Sequence, residues 1–198
     1  MMPAARESLL DAAYTALARR PWSAVRMVDV AAAAGVSRQT LYNEFGSKEG
    51  LARALVRREA DGYLAGVDRA LATPSDARDR LTAAAEWTAG LARDNALVRA
   101  MLTGCWNERL PSPTLSAVPS SSAVPAQRRA DGPLPSPGDF VAIVRDRAVV
   151  VLAGPDTAEL ARSCELVVRL ALSCVAAPPG EGGVADLVRS ALHRQLPG

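Results

Sequence analysis

The sequence predicts an all-α fold from its composition, its apolar periodicity and its turn signals. Hydrophobic residues make up 49% of the 198 residues but aromatic residues only 4%, so the interior must be built from Ala, Leu and Val. Ala and Leu are strong helix formers, and a chain of this length buries a sizeable core. The stretches AVVVLAG and LVVRLALSCVAA have the apolar content of strands, but each lies inside a longer helical pattern.

Four helices are predicted in the N-terminal part of the chain. They cover residues 4–19, residues 27 to about 34, a short segment after Ser37, and residues 48 to about 71. Pro21 ends the first helix, because proline disfavours helical geometry in the residue before it. Gly35 supplies the turn after the second, since glycine adopts a left-handed backbone at little cost. Ser37 and Ser47 are the expected N-caps of the third and fourth helices.

Five further helices are predicted in the rest of the chain. They cover residues from a start signal at 73–76 to about 94, then about 96–106, 139–153, 156–177 and 184–196. Thr73 is the expected N-cap of the first of these, and Asp156 with Glu159 is expected to cap the fourth. Residues 111–138 contain seven of the fourteen prolines, so an irregular Pro/Ser-rich loop is predicted there.

The sequence predicts a cytoplasmic protein that does not enter a membrane. Its longest apolar run, residues 166–177, is too short to cross a bilayer and contains Arg169. Charged residues interrupt the N-terminal segment, so no secretory signal is expected.

Neither catalysis nor metal binding is indicated by the sequence. Cys105, Cys164 and Cys174 lack metal-ligand spacing, and an odd number of cysteines does not suit a disulfide scaffold. The single histidine, His193, falls in the last turns of a helix, where a solvated or capping role is favoured over a catalytic one. No catalytic residues, metal site or cofactor are therefore predicted.

The charge distribution is compatible with DNA binding at the N-terminal end. The net charge of +2 is too small to indicate a nucleic-acid partner by itself. Residues 1–60, however, hold nine Lys or Arg against six Asp or Glu, which makes them the basic part of the chain.

Residues 27–45 have the composition of a helix-turn-helix. Ala31 is small where two helices must cross closely, and Val36 and Leu41 are placed to pack beneath the turn. Leu41 and Phe45 are four residues apart, so both are expected to anchor the third helix to the core. The remaining positions of that helix are then expected to face outward.

The outward face of the third helix carries side chains that suit DNA. Arg38 can bridge the major-groove edge of guanine, and Gln39 or Asn43 can bridge that of adenine. Hydroxyl groups that suit phosphate oxygens come from Ser37, Thr40 and Tyr42. The alternative is an ordinary solvated face, and for Tyr42 core packing is weighed equally with phosphate contact.

Two stretches carry a resemblance to a known family. VDVAAAAGVS covers the second helix and the turn, and TLYNEFGSKEGL covers the third helix and the start of the fourth. The pattern Leu-Tyr-x-x-Phe-x-Ser-Lys-Glu-x-Leu after Ala-Gly-Val-Ser resembles the DNA-binding domain of the TetR family of bacterial regulators. The resemblance covers about a quarter of the chain. It implies a helix-turn-helix DNA-binding domain over residues 1–50 and a helical effector-binding and dimerisation domain over residues 51–198.

The resemblance also implies roles for individual residues. Lys48, at the start of the fourth helix, is expected to hold a backbone phosphate with help from the helix dipole. Arg26 stands where the family usually has Thr or Ser, and is expected to replace that phosphate contact with a charged one. Glu44 would repel phosphate, so it is expected to face away from DNA or to bond to a neighbour.

A pocket and a subunit interface are predicted in the C-terminal body. Apolar candidates to line an effector cavity are Trp87, Met101, Trp106, Phe140 and Val144, with plain core packing as the alternative. The eighth helix is apolar almost all round, so one of its sides is expected to face a second subunit. With the apolar stripe of the ninth helix, the interface candidates are Val168, Leu172, Val175, Leu187 and Ala191.

Together these features predict a homodimeric regulator that binds a palindromic DNA operator. A small hydrophobic effector is expected to release it, and repression is favoured over activation. One alternative is a helical small-molecule carrier or enzyme whose head only resembles a helix-turn-helix; the lack of a catalytic constellation argues against the enzyme. Another is a DNA-binding regulator that is switched by a thiol, at Cys105, or by a protein partner.

Overall fold

The computed structural model describes residues 3–111, 134–152, 157–180 and 182–193, and every regular element among them is helical. The α-helices are α1 Pro3–Arg19, α2 Met27–Ala33, α3 Arg38–Phe45, α4 Lys48–Leu71, α5 Ala77–Asp94, α6 Ala96–Thr103, α7 Pro137–Leu152, α8 Thr157–Ala176 and α9 Gly183–His193. A short 3₁₀-helix, η1, covers Trp22–Ala24. The predicted all-α class is confirmed, with a helix-turn-helix at the N-terminal end followed by a helical body.

The chain divides into two compact units. Unit 1 comprises Met1–Arg58 and Trp106–Leu134, and unit 2 comprises Glu59–Cys105 and Pro135–Gly198. The functional boundary predicted between residues 50 and 51 remains a prediction.

Unit 1 is built around a small aliphatic core that positions α3. Leu9 and Leu10 of α1, Leu41 of α3, and Leu51 and Leu55 of α4 are all buried. Their side chains lie on the inner faces of their helices, as the helical spacing predicts. Arg38, Gln39, Thr40 and Asn43 of α3 are left exposed.

Glycines set the turns on both sides of α3. Gly35 has a φ of +69° and joins α2 to α3, as predicted, and Gly46 has a φ of +71° and joins α3 to α4. Both angles lie in the left-handed region, which glycine adopts without a Cβ penalty. A Cβ at Gly50 would collide with the carbonyl oxygen of Phe45, so glycine also allows α4 to start close against the end of α3.

Unit 2 packs α5 and α8 against the other helices of the body. Tyr63 and Phe140 are both almost fully buried and meet edge to face, with 5.9 Å between their ring centroids. The Tyr63 hydroxyl lies 3.3 Å from the Thr88 hydroxyl, which satisfies a polar group inside this core. Burial raises the pKa of Tyr63 above its ordinary value.

Two predicted helix boundaries were wrong. Thr73 does not cap α5; Asp76 is the N-cap, and its carboxylate accepts a hydrogen bond from the amide of Asp79 at 2.8 Å. α6 ends at Thr103 and not near Trp106, because Gly104 adopts a left-handed conformation with a φ of +73°.

The predicted loop at 111–138 is described only at its edges, because residues 112–133 lie outside the described part. α7 begins at Pro137, two residues earlier than predicted. Ser136 and Asp139 exchange hydrogen bonds, with the Asp139 carboxylate accepting from the Ser136 amide at 2.8 Å and the Ser136 hydroxyl accepting from the Asp139 amide. This capping box, with proline at the first helical position, starts the helix. The predicted cap at Asp156 also lies outside the described residues.

Within the described residues, none of the helices has both the length and the apolar character needed to span a bilayer.

Candidate nucleic-acid interface

The N-terminus of α3 is capped as the sequence predicts. The Ser37 hydroxyl accepts a hydrogen bond from the Thr40 amide at 3.0 Å. The Ser37 and Thr40 hydroxyls also lie 2.8 Å apart. Both side chains are exposed, so these hydroxyls are available beside the positive end of the helix dipole.

The outward face of α3 is pre-ordered by contacts between its own side chains. Arg38, Gln39 and Asn43 are exposed, and Tyr42 is half-buried. The Gln39 amide nitrogen donates to the Asn43 side-chain oxygen at 2.7 Å, and the Arg38 guanidinium lies 5.4 Å from the Tyr42 ring. Each pair spans one helical turn, so polar groups for base edges are held on one face.

Glu44 lies on the side of α3 that faces α1. Its carboxylate accepts a hydrogen bond from Arg6 at 2.7 Å and is only 14% exposed. The same Arg6 guanidinium lies 4.9 Å from the Phe45 ring. The prediction that Glu44 bonds to a neighbour is therefore correct, and its charge is balanced inside unit 1. Sequence reasoning did not identify Arg6, because the two partners are 38 residues apart.

Arg26 is held by an acidic neighbour at the start of α2. It donates two hydrogen bonds of 3.1 Å to the carboxylate of Asp29, which also pairs with Arg20. The bonded Arg26 guanidinium lowers the pKa of the Asp29 carboxyl below its ordinary value. The Arg26 side chain remains 72% exposed, so a phosphate oxygen can still approach it.

Lys48 lies at the first position of α4 and is anchored to η1. Its ammonium donates to the carbonyl oxygen of Ser23 at 3.1 Å and lies 5.5 Å from the Trp22 ring. The Ser47 hydroxyl accepts from the Gly50 amide at 3.1 Å, which caps α4 as predicted. Sequence reasoning assigned no role to Trp22, because a cation–π contact across 26 positions leaves no local signal.

The five pocket candidates are divided between the two units. Trp106 belongs to unit 1, whereas Trp87, Met101, Phe140 and Val144 belong to unit 2. The Trp87 indole lies against Gly66 of α4 and donates to the Tyr63 carbonyl at 3.1 Å, so it packs two helices together. Of the five, only Val144 borders the small cavity of about 10 Å³ that lies between α4, α5, α7 and α8.

The interface candidates differ in exposure. Val168 is buried within unit 2 and borders the same cavity, so it is part of the subunit's own core. Leu172, Val175 and Ala191 are half-buried, and Leu187 is 40% exposed. These four keep apolar surface that a partner can cover.

Cys105 and Cys164 have opposite environments. Cys105 is exposed, whereas Cys164 is buried at the edge of the cavity. Burial raises the pKa of the Cys164 thiol to about 11.

The fold and the interface together define a helix-turn-helix protein with a helical body. The family model described as bacterial regulatory proteins of the tetR family matches residues 9–55. Residues 9–55 are therefore a DNA-binding domain of the TetR family of bacterial transcriptional regulators. This family consists of regulators and not of enzymes, which argues against the enzyme among the alternatives.

Two relatives and two solved structures show how far the similarity extends. The regulator AlkX of Mycobacterium tuberculosis is 52% identical over 66 residues, which are 33% of this chain and 31% of AlkX. The activator FasR of Mycolicibacterium smegmatis is 42% identical over 81 residues, 41% of this chain and 37% of FasR. The matches thus span about a third of the length of these relatives.

The solved structures support the fold over nearly the whole chain. The TetR-family repressor AlkX from Dietzia sp. has a TM-score of 0.53 at 20% identity and covers 98% of both chains. A TetR/AcrR-family regulator from Thermobifida fusca has a TM-score of 0.58 at 16% identity, over 98% of this chain and 97% of the other.

Proposed function

We propose that the protein is a cytoplasmic, homodimeric transcriptional repressor that binds a palindromic operator through α3 and is released by a small hydrophobic effector. The observation that carries this proposal is the exposed polar face of α3, inside the segment that the family model matches. Arg38, Gln39 and Asn43 have the donors and acceptors that read bases in the major groove.

Phosphate contacts fix the recognition helix in register on the duplex. The hydroxyls of Ser37 and Thr40 lie beside the N-terminus of α3, and Tyr42 is half-buried one turn later. Lys48 and Arg26 supply charge at the starts of α4 and α2. Such contacts strengthen binding to every sequence alike, whereas the contacts of Arg38 and Gln39 discriminate between sequences.

A dimer is supported by the apolar surface that α8 and α9 keep in the described chain. Leu172, Val175 and Leu187 are each only partly covered. Covering them in a second copy would remove apolar surface from water, which favours association. Two symmetric copies would present two α3 helices, which suits an operator of two inverted half-sites.

An effector that binds in the cavity between α4, α5, α7 and α8 would have to change the packing of these helices. The cavity between α4, α5, α7 and α8 measures about 10 Å³, whereas pockets for small molecules usually measure roughly 300–1,000 Å³. Its lining is apolar apart from Thr88 and Cys164. A hydrophobic ligand that opens this cavity would favour a second arrangement of the helices, and such a difference in affinity is what allows a ligand to shift an equilibrium.

The relatives include both signs of regulation, and they suggest the first effectors to test. One relative is named an activator, and the Dietzia protein is described as a repressor implicated in the biodegradation of n-alkanes. Alkyl-chain compounds are therefore the first to add to an operator-binding assay, in which a released complex supports a repressor. Compounds that bind and tighten the complex would point to an activator, and a lipophilic series without any effect would contradict the ligand-responsive part.

Selection from random duplex DNA by the purified protein tests the core of the proposal. We expect a palindromic consensus with half-sites separated by one helical turn or a multiple of it. A double variant with Arg38→Ala and Gln39→Ala serves as the control and should not enrich the same consensus. Failure of the natural protein to enrich any sequence would overturn the proposal.

A further inference from the structure

The segment of residues 106–111 follows α6 in the chain but belongs to unit 1. It is closed into a turn by Asn107, whose carbonyl accepts from the Leu110 amide and whose side chain accepts from the Arg109 amide, both at 3.0 Å. Leu110 and Pro111 are buried although no helix contains them. A short irregular segment with buried apolar side chains is attached to the surface that covers them.

The surface to which this segment is attached includes η1. The Trp22 amide donates to the Arg109 carbonyl oxygen at 2.8 Å, so the first residue of η1 is bound through its backbone. Trp106, Asn107, Glu108 and Leu110 also line an open groove together with Trp22, Ser23, Glu49 and Ala52. The 106–111 segment therefore runs beside η1 and the first turns of α4, within unit 1.

The same two η1 residues hold the ammonium group of Lys48. The Ser23 carbonyl accepts from Nζ at 3.1 Å, and the Trp22 ring lies 5.5 Å from Nζ. An ammonium has three N–H donors, so two remain for phosphate oxygens while the Ser23 bond is kept. Lysine otherwise carries its charge on a flexible four-carbon stem, and ordering that stem on DNA binding costs affinity.

We propose that the 106–111 segment and Trp22 are positioning elements for Lys48. The segment fixes η1 through the Arg109 carbonyl and Leu110, and η1 in turn holds the Lys48 ammonium ready for a DNA phosphate. The proposal rests on the proposed function for its DNA contact, but the position of Lys48 in the free protein is tested without DNA.

The first experiment uses the fact that Lys48 is the only lysine in the chain. Labelling with isotopic lysine gives one side-chain signal in an NMR spectrum of the whole protein. Because the ammonium lies over the Trp22 ring, we expect the ε-methylene protons to be displaced upfield by the ring current. The displacement should shrink in Leu110→Ala and should be retained in Leu10→Ala, which truncates an equally apolar, buried leucine of α1.

The second experiment measures the binding of these variants to the duplex selected from random DNA, over a range of salt concentrations. Leu110→Ala should weaken binding roughly two- to tenfold, the range expected when one side chain must be ordered anew. The loss should disappear in a Lys48→Ala background, because the segment acts only through that lysine. The loss caused by Leu10→Ala should persist in that background. Trp22→Phe keeps an aromatic ring, so it should retain more of the NMR displacement and of the affinity than Trp22→Ala.

The outcomes separate the positioning proposal from the DNA contact itself. An unshifted lysine signal in the natural protein, or equal shifts in it and in Leu110→Ala, overturns the positioning proposal whatever the DNA results are. Additive losses of Leu110→Ala and Lys48→Ala overturn it as well. If the lysine signal behaves as expected but Lys48→Ala leaves the salt dependence unchanged, the phosphate contact of the proposed function fails, and the role of the segment in DNA binding fails with it. Should Leu110→Ala not fold, Leu110→Val makes the same comparison with a smaller truncation.

Discussion

At the scale of single residues, local contacts were predictable and distant ones were not. Ser37 caps α3 because its hydroxyl reaches an amide three positions away, and such a partner can be read from the sequence. The pairs formed by Arg6 with Glu44 and by Lys48 with Trp22 join different elements, and their spacing follows no helical period. The residue types of α3 therefore predicted which side chains the helix exposes. They did not predict the contacts that fix α3 and α4 within unit 1.

The side chains proposed to contact DNA from α3 and α4 should separate into those that discriminate between base sequences and those that bind every sequence alike. We expect Arg38→Ala and Gln39→Ala each to lose roughly 1–3 kcal/mol of discrimination at particular base pairs, because a bidentate contact to a base edge is removed. Lys48→Ala should weaken all sequences alike and lower the salt slope by about one unit. Quantitative selection with each variant measures both effects. Unchanged base preferences in both α3 variants would contradict the assignment of this helix.

The thiols of Cys105 and Cys164 should react at very different rates. The pKa of Cys164 is raised to about 11, so near pH 8 only about one thiol in a thousand is ionised, and it is also buried. We expect a thiol reagent to give a fast phase from exposed Cys105, which Cys105→Ser removes. The rate at which the reagent modifies Cys164 should rise with pH until the pH exceeds the raised pKa of this thiol. Fast modification of Cys164 in Cys105→Ser would show that the core around it opens readily. Operator binding of that variant tests the thiol-switch alternative.

At the scale of helices, boundaries depended on which of several polar residues forms the cap. Thr73 was the predicted cap of α5, but the structure uses Asp76, three residues later. α7 starts earlier than predicted because the Ser136–Asp139 capping box lies within a stretch whose composition indicates a loop. The loop-like composition of this stretch thus obscured the capping box that starts α7. The apolar spacing of α1 and α4, in contrast, predicted the bounds of these helices closely.

Two glycines of α4 should respond in opposite ways to the same substitution. A Cβ at Gly66 would collide with the Trp87 ring, which is held by its bond to the Tyr63 carbonyl, so Gly66→Ala should cost roughly 1–3 kcal/mol. Nothing lies within 4 Å of a Cβ at Gly62, so Gly62→Ala should stabilise the helix by up to about 1 kcal/mol. Urea unfolding of both variants measures the difference. Stabilisation by both would mean that Trp87 does not pack on α4.

At the scale of the whole molecule, the sequence suggested a single passage from a head to a body near residue 50. That functional boundary stays a prediction, and the chain passes between its compact units inside α4, again between Cys105 and Trp106, and again between Leu134 and Pro135. The assignment of residues 106–111 to unit 1 depends on a backbone bond from Trp22 to Arg109, and no sequence pattern reports such a bond. The apolar character of α8 was readable, but the structure was needed to show that Val168 lies inward.

The proposed dimer can be tested by charging apolar positions that differ in their predicted role. Leu172→Glu and Leu187→Glu should each weaken dimerisation by about 3 kcal/mol, a factor of roughly a hundred, because a carboxylate would be buried in an apolar interface without a partner. Val150→Glu is the matched control, since Val150 is a 78% exposed apolar residue of α7 outside the predicted interface. Val168→Glu is unsuitable, because a charge there would disrupt the core of the subunit itself.

Light scattering at micromolar concentration should give dimers for the natural protein and Val150→Glu, and monomers for the two leucine variants. Operator affinity should fall together with dimerisation, because one copy presents only one α3 helix. A monomeric natural protein that still binds a palindromic duplex would contradict the dimer, while dimers in both leucine variants would place the interface elsewhere.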